Sequence, residues 1–173
     1  MRALAAVFVV LFAGCSGAST TVPLLSQAGA PFTFTPPRGV PLEVVTRSTA
    51  VRDPLPVAGS GVSYADVETT LGLAVSSATV PWADAHKTQR PGGWQLFVEL
   101  IQAEAEDRDG RLVVTLSVRA TLRARDGNAY LAQTQASCRQ GGVVPAERGA
   151  TVMYACMSRV GRDLAGWLGS VEP

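Results

Sequence analysis

Two Asp-Gly pairs, Asp109-Gly110 and Asp126-Gly127, divide the stretch from Trp94 to Cys138 into three segments of strand-like composition. Asp-Gly between alternating runs marks a tight hairpin, because these turns need positive φ and glycine adopts it without steric penalty. In the middle segment Leu112, Val114, Leu116, Val118, Ala120 and Leu122 alternate with Val113, Thr115, Ser117, Arg119, Thr121 and Arg123. A period of two sends the first set into a core and leaves the second wet. The first segment carries Leu96, Val98 and Leu100 on one parity and Ile101, Ala103 and Ala105 on the other, which predicts a bulge near Leu100. The third places Tyr130, Ala132, Thr134, Ala136 and Cys138 on one face. Such a chain must form an antiparallel meander and cover its apolar side.

Two amphipathic segments can supply the cover. Over roughly Ala146 to Leu168, the residues Val152, Met153, Cys156, Val160, Leu164 and Trp167 form one stripe while Arg148, Arg159, Arg162 and Asp163 fall elsewhere. Earlier, Ser63 with Asp66 three residues on resembles a capping box, followed by Tyr64, Val67, Leu71, Ala74, Val75 and Ala78 at helical spacing. Pro81 is expected to end that helix, and Gly72 within it predicts the close approach of a neighbour. The β-branched run Leu42 to Ala50, bounded by Pro41 and Pro54, reads as a first strand. The order strand, helix, three-stranded meander, helix predicts an α+β two-layer sandwich. Its antiparallel sheet would have about four strands with both helices on one face, in a single domain over residues 41–173.

The N-terminal region reads differently. Arg2 precedes an apolar run from Ala3 to Ala13, too short for a membrane span of roughly 20 residues but suited to a signal-peptide core. Phe12-Ala13-Gly14-Cys15 resembles the lipobox of bacterial lipoproteins, with Phe12 where leucine is usual. That resemblance implies a signal peptide over residues 1–14 and acyl chains of the palmitate type on Cys15. The alternative is ordinary cleavage after Ala18, where Ser16 and Ala18 give a small-x-small pattern. Residues 15–40, rich in Ser, Thr, Pro, Gly and Ala, are expected to form a lipidated flexible tether, with Phe32 to Thr35 able to pair as an edge strand.

Assigning Cys15 to lipid leaves Cys138 and Cys156, and an exported chain meets an oxidising compartment. Both sulfurs fall on the apolar side of their elements, which predicts a disulfide. The alternative is two buried thiols acting as small apolar residues.

Composition and motifs narrow the function. A formal net charge of +1 provides no basic field for nucleic acid. The only histidine, His86, follows Asp84 in a Pro/Gly-bounded loop, and no G-x-S-x-G elbow accompanies it. One histidine and two bridged cysteines do not make a zinc site, and no phosphate-binding glycine loop is present. We therefore expect no enzyme, and assign no catalytic, cofactor-binding or metal residue. Glu104, Glu106, Asp107 and Asp109 read as surface charges around a hairpin. Trp82, Trp94 and Trp167 read as core or core-edge residues, with Trp82 able to line an apolar opening. Thr115, Ser117, Arg119, Thr121 and Arg123, with Gln133 and Gln135, define a face that is solvated or ready for a partner, and Arg125 extends the arginine series.

Taken with the lipobox and tether, this order of elements and the hairpin sequence GRLVVTLSVRATLRARDGNAYLAQ resemble the auxiliary lipoproteins of ABC-type transporters, including those of mammalian-cell-entry lipid transport systems. A similar plan occurs in lipopolysaccharide-assembly lipoproteins. The resemblance implies a non-enzymatic lipoprotein that serves as a binding or scaffold subunit of an envelope machine, with an envelope protein as partner. Ser16 after Cys15, in place of Asp, resembles the outer-membrane sorting preference, with the domain facing the periplasm. A second reading is a carrier holding a small apolar ligand between helices and sheet. A hydrolase using His86 ranks third.

Overall fold

The structure, a computed structural model, describes residues 19–26, 42–49, 51–86, 92–125 and 130–171. Strands β1 (Thr20–Pro23), β2 (Leu42–Ser48), β3 (Leu55–Ala58) and β4 (Val62–Ala65) precede helix α1 (Val67–Ala85). The long strands β5 (Trp94–Arg108), β6 (Arg111–Ala124) and β7 (Tyr130–Gly142) follow, then a short 3-10 turn and helix α2 (Ala150–Leu168).

The meander forms as its pattern requires. Arg108 pairs with Arg111 across a turn in which Asp109 (φ 54°) and Gly110 (φ 76°) both take the left-handed conformation. The register between β5 and β6 shifts between Leu100 and Gln102, where the sequence places a phase change. This bulge divides β5 into two halves with different neighbours. Residues 94–100 pair in parallel with β2, and Ala105 and Glu106 pair in parallel with β3. The sheet therefore has seven strands among the described residues, in the order β1-β4-β3-β5-β6-β7 with β2 beside the first half of β5. The expected four-stranded antiparallel sheet becomes a larger mixed one.

The additional strands β1, β3 and β4 are four residues long, too short for a sustained period-two signal. They account for two corrections. Ser63 and Tyr64 belong to β4, not to a helix cap. Val62 and Tyr64 bury their side chains with strand periodicity, and α1 begins only after Asp66 turns the chain at φ 65°. Thr20–Pro23, within the stretch expected to be a tether, is β1, paired in parallel with β4 from Thr20 opposite Val62. The Phe32 to Thr35 alternation and the Asp126-Gly127 turn lie outside the described residues, as do the signal segment and Cys15.

Pro81 does not end α1, which continues to Ala85. A proline inside a helix deprives the carbonyl four residues earlier of its donor. Here Ser77 and Pro81 both lie on the exposed side, where solvent can bond that carbonyl.

One side of the sheet is sealed. Leu112, Val114, Leu116, Val118, Ala120 and Leu122 of β6 are fully buried, facing Met153, Cys156, Met157, Val160 and Leu164 of α2. Each large aliphatic side chain so buried contributes roughly 1.5–3 kcal/mol before entropy is counted. Both helices lie on this side and pack against each other. A Cβ on Gly161 would stand 2.9 Å from the Ala74 carbonyl oxygen of α1, and one on Gly72 the same distance from the Thr46 hydroxyl of β2. Gly72 thus marks the close approach that its place in a helix implies.

Cys138 of β7 and Cys156 of α2 form a disulfide with Cα atoms 5.5 Å apart, within the usual range. Tyr130 departs from the expected face. The β6–β7 register shifts between Leu122 and Arg123, so Tyr130 is thrown outward and is 64% exposed. Ala132, Thr134 and Ala136 are half-buried on the inner side.

Candidate interaction surface on the open sheet face

No described element covers the other side of the sheet. The outward parities of β2, β5 and β6 place Glu43 beside Gln95 and Arg123, Val45 beside Phe97 and Thr121, and Arg47 beside Glu99 and Arg119. The same residues that alternate away from the core thus form rows running across three strands.

These rows are knit by side-chain bonds. Arg119 pairs with Glu99 at 3.2 Å, and Arg125 with Glu43 at 3.2 Å. Gln95 donates to Glu43 at 3.1 Å and accepts from Arg123 Nε at 2.8 Å. The half-buried Phe97 ring lies between two guanidiniums, those of Arg47 and Arg123, each 5.8 Å from its centroid. Exposed ion pairs of this kind contribute under about 1 kcal/mol each, so their larger effect is to orient the arginines. Gln133 and Gln135 of β7 continue the face opposite Thr121 and Arg119. The result is a surface of oriented arginines around one aromatic ring, whose remaining N–H groups suit carbonyl or carboxylate acceptors.

The alternation in sequence marks Arg119, Arg123, Gln133 and Gln135 as a face, whereas Arg47, Glu43, Gln95 and Phe97 join it only through the pairing of β2, β5 and β6. The available signal was a phenylalanine on the wet parity of β5, between the buried Leu96 and Val98.

The remaining candidates have structural duties. His86 caps the C-terminus of α1, its backbone N–H bonding the Trp82 carbonyl at 3.1 Å. Its Nδ1 lies 2.8 Å from the same oxygen, and its ring stacks on Trp82 at 4.4 Å. Asp84 is exposed. Glu106 pairs with Arg108 at 2.7 Å, Asp107 accepts the Gly110 N–H at 2.9 Å, and Glu104 accepts from Gln102 at 2.9 Å. Among the described residues no three His, Cys, Asp or Glu side chains are grouped to hold a metal ion. Trp82 and Trp94 are buried, and Trp167 is half-buried against the core.

Two tyrosines tie the halves of the molecule together. Tyr64 donates to the Ala146 carbonyl at 2.7 Å, and burial pushes its phenol up to about 12, with Asp107 and Glu147 adding to the shift. Tyr154 of α2 donates to the Leu24 carbonyl. A recess of about 330 Å³, open solvent included, lies at the start of α1, lined by Ser48, Arg52, Asp53 and Glu68 and by the apolar Val51, Val67 and Leu100.

No protein-family model matches the chain, and no curated protein matches it. Solved structures do. A Xanthomonas campestris protein of family DUF330 aligns over 75% of this chain and 85% of its own, with a TM-score of 0.54 at 16% identity. A minor lipoprotein from Acinetobacter baumannii aligns over 75% of this chain and 91% of its own, with a TM-score of 0.46 at 9% identity. The chain shares its fold with the Xanthomonas protein.

Proposed function

We propose that this chain is a lipid-anchored, non-enzymatic protein of the bacterial envelope that works as a binding or scaffold subunit, using its open sheet face to hold a protein partner. The observation carrying this reading is the contrast between the two sides of the sheet. One is filled by helix side chains and fastened by a disulfide, whereas the other presents oriented arginines around Phe97. The mutual burial of the β6 and α2 side chains favours a scaffold over a carrier, which needs an apolar cavity of several hundred Å³. His86 is accounted for by its helix-capping contacts, so the reading needs no catalytic step.

The lipid anchor rests on Phe12-Ala13-Gly14-Cys15, and outer-membrane placement on Ser16. The resemblance to auxiliary lipoproteins of ABC-type transporters narrows the system to an envelope transport or assembly machine. A photo-crosslinking residue at Phe97, compared with one at Arg162 on the outer side of α2, tests the reading in cells. We expect a discrete adduct with a transport or assembly component from position 97 only. No adduct there, or equal adducts from both positions, would count against it.

A further inference from the structure

We propose that the anchor holds one particular end of the sheet against the membrane: the end formed by the β3–β4 turn, the Asp109-Gly110 hairpin and Val143. This proposal rests on acylation of Cys15 and deepens the anchored reading. A tether reaching to residue 40 would leave the domain free to face any direction. Strand β1, however, already begins at Thr20, whose N–H bonds the Gly61 carbonyl at 2.8 Å. Cys15 stands five residues before Thr20, and at roughly 3.6 Å per residue the chain between them reaches about 18 Å.

Strand directions fix which end that is. β1 runs with β4, β4 runs against β3, and β3 runs with β5. The start of β1 therefore lies at the end of the sheet where β5 finishes. There Ala58 pairs with Glu106, and Gly59 abuts the Asp107 carbonyl. Gly142 pairs with Leu112 at the same end, so the 85%-exposed Val143 emerges beside the hairpin. The Arg47–Phe97–Arg123 cluster is on the other half of β5. From Phe97 to Glu106 the strand covers about 30 Å at 3.3 Å per residue.

The chemistry of the anchored end fits apposition without strong attraction. Arg108 and Arg111 alternate with Asp107 and Asp109, and Val143 offers a small apolar contact. Among the described residues of this end the charges alternate in sign, so tether length governs position. The open-face cluster then lies about 30 Å along the strands from the anchored end, within reach of a protein partner.

Labelling tests this directly. With Cys15 acylated and Cys138 bonded to Cys156, a thiol introduced by Val143→Cys or Tyr130→Cys is the only free one, and both sites are exposed. The full chain carrying a fluorophore at either site is placed in phosphatidylethanolamine–phosphatidylglycerol vesicles containing a headgroup-nitroxide lipid. We expect quenching at 143 at least about threefold greater than at 130, and loss of the contrast when ten Gly/Ser residues, adding roughly 35 Å of reach, are inserted after Ala18. Equal quenching in the native-length chain, with the protein retained on the vesicles, would overturn this proposal alone. A contrast surviving the insertion would also overturn it, by assigning the orientation to surface affinity. Release of the chain from the vesicles would remove both this proposal and the anchored reading.

Discussion

The hydroxyl of Tyr154 donates a hydrogen bond to the carbonyl of Leu24, joining the N-terminal part of the last helix to the residue that follows the first strand. Both residues are buried, so removing the donor leaves an acceptor without water. Tyr154→Phe should destabilise the fold by about 1–3 kcal/mol in urea unfolding. It should also expose the segment around β1 to limited proteolysis before the meander is cut. Unchanged stability with an intact β1 would show that the bond contributes nothing.

The Cys138–Cys156 disulfide fastens α2 to β7 across an 18-residue separation. The unreduced protein should show no alkylatable thiol at either position. Reduction should lower stability by roughly 2–5 kcal/mol, and amide exchange should rise first in α2. Two thiols that alkylate freely without reductant would contradict the bond.

Two glycines of α2 should respond oppositely to alanine. At Gly161 a Cβ would press on the Ala74 carbonyl and the Ala78 methyl of α1, and backbone cannot yield cheaply. Gly161→Ala should cost about 1–3 kcal/mol. At Gly166 a Cβ would meet nothing within 4 Å, so Gly166→Ala should gain about 0.5–1 kcal/mol from helix propensity alone. Equal effects in urea titrations would mean that the helices are not packed at this point.

Alkaline stability should follow the buried phenols. Tyr64 ionises at about 12 in the folded state against an ordinary 10.0, so folding holds its proton more tightly than the unfolded chain does. The associated stability is complete below about pH 10 and declines as pH rises toward 12, by an amount on the order of 2 kcal/mol. Burial shifts Tyr154 the same way. Urea unfolding at about pH 9 and pH 11.5 should show this loss in the wild type and a shallower one in Tyr64→Phe. Equal slopes would take Tyr64 out of the account.

The long elements were legible because their patterns repeat many times. The six inward side chains of β6, the bulge after Leu100 and the stripe of α2 all follow from period two or 3.6 over a dozen residues or more. The four-residue strands β1, β3 and β4 gave no comparable signal. Tyr64 fits the helical spacing of Val67 and Leu71 as well as the strand spacing it shares with Val62, until the pairing of β4 with β1 and β3 is known. Tyr130 misled for a local reason: one register shift moves it from the inner parity to solvent. The open face was readable as wet arginines and glutamines. Its organisation around Phe97 was not, because Arg47 reaches that ring from a strand fifty residues away in sequence, and only the parallel β2–β5 pairing brings them together.

Acylation is the central claim, since both the anchored reading and the orientation at the membrane depend on it. Labelled palmitate fed to cells expressing the wild type and Cys15→Ala measures it most directly, with each protein then followed through membrane fractionation. The account expects label and membrane retention in the wild type, and loss of both in Cys15→Ala. Label in the variant at the wild-type level, or an unlabelled wild type found in the soluble fraction, would contradict it.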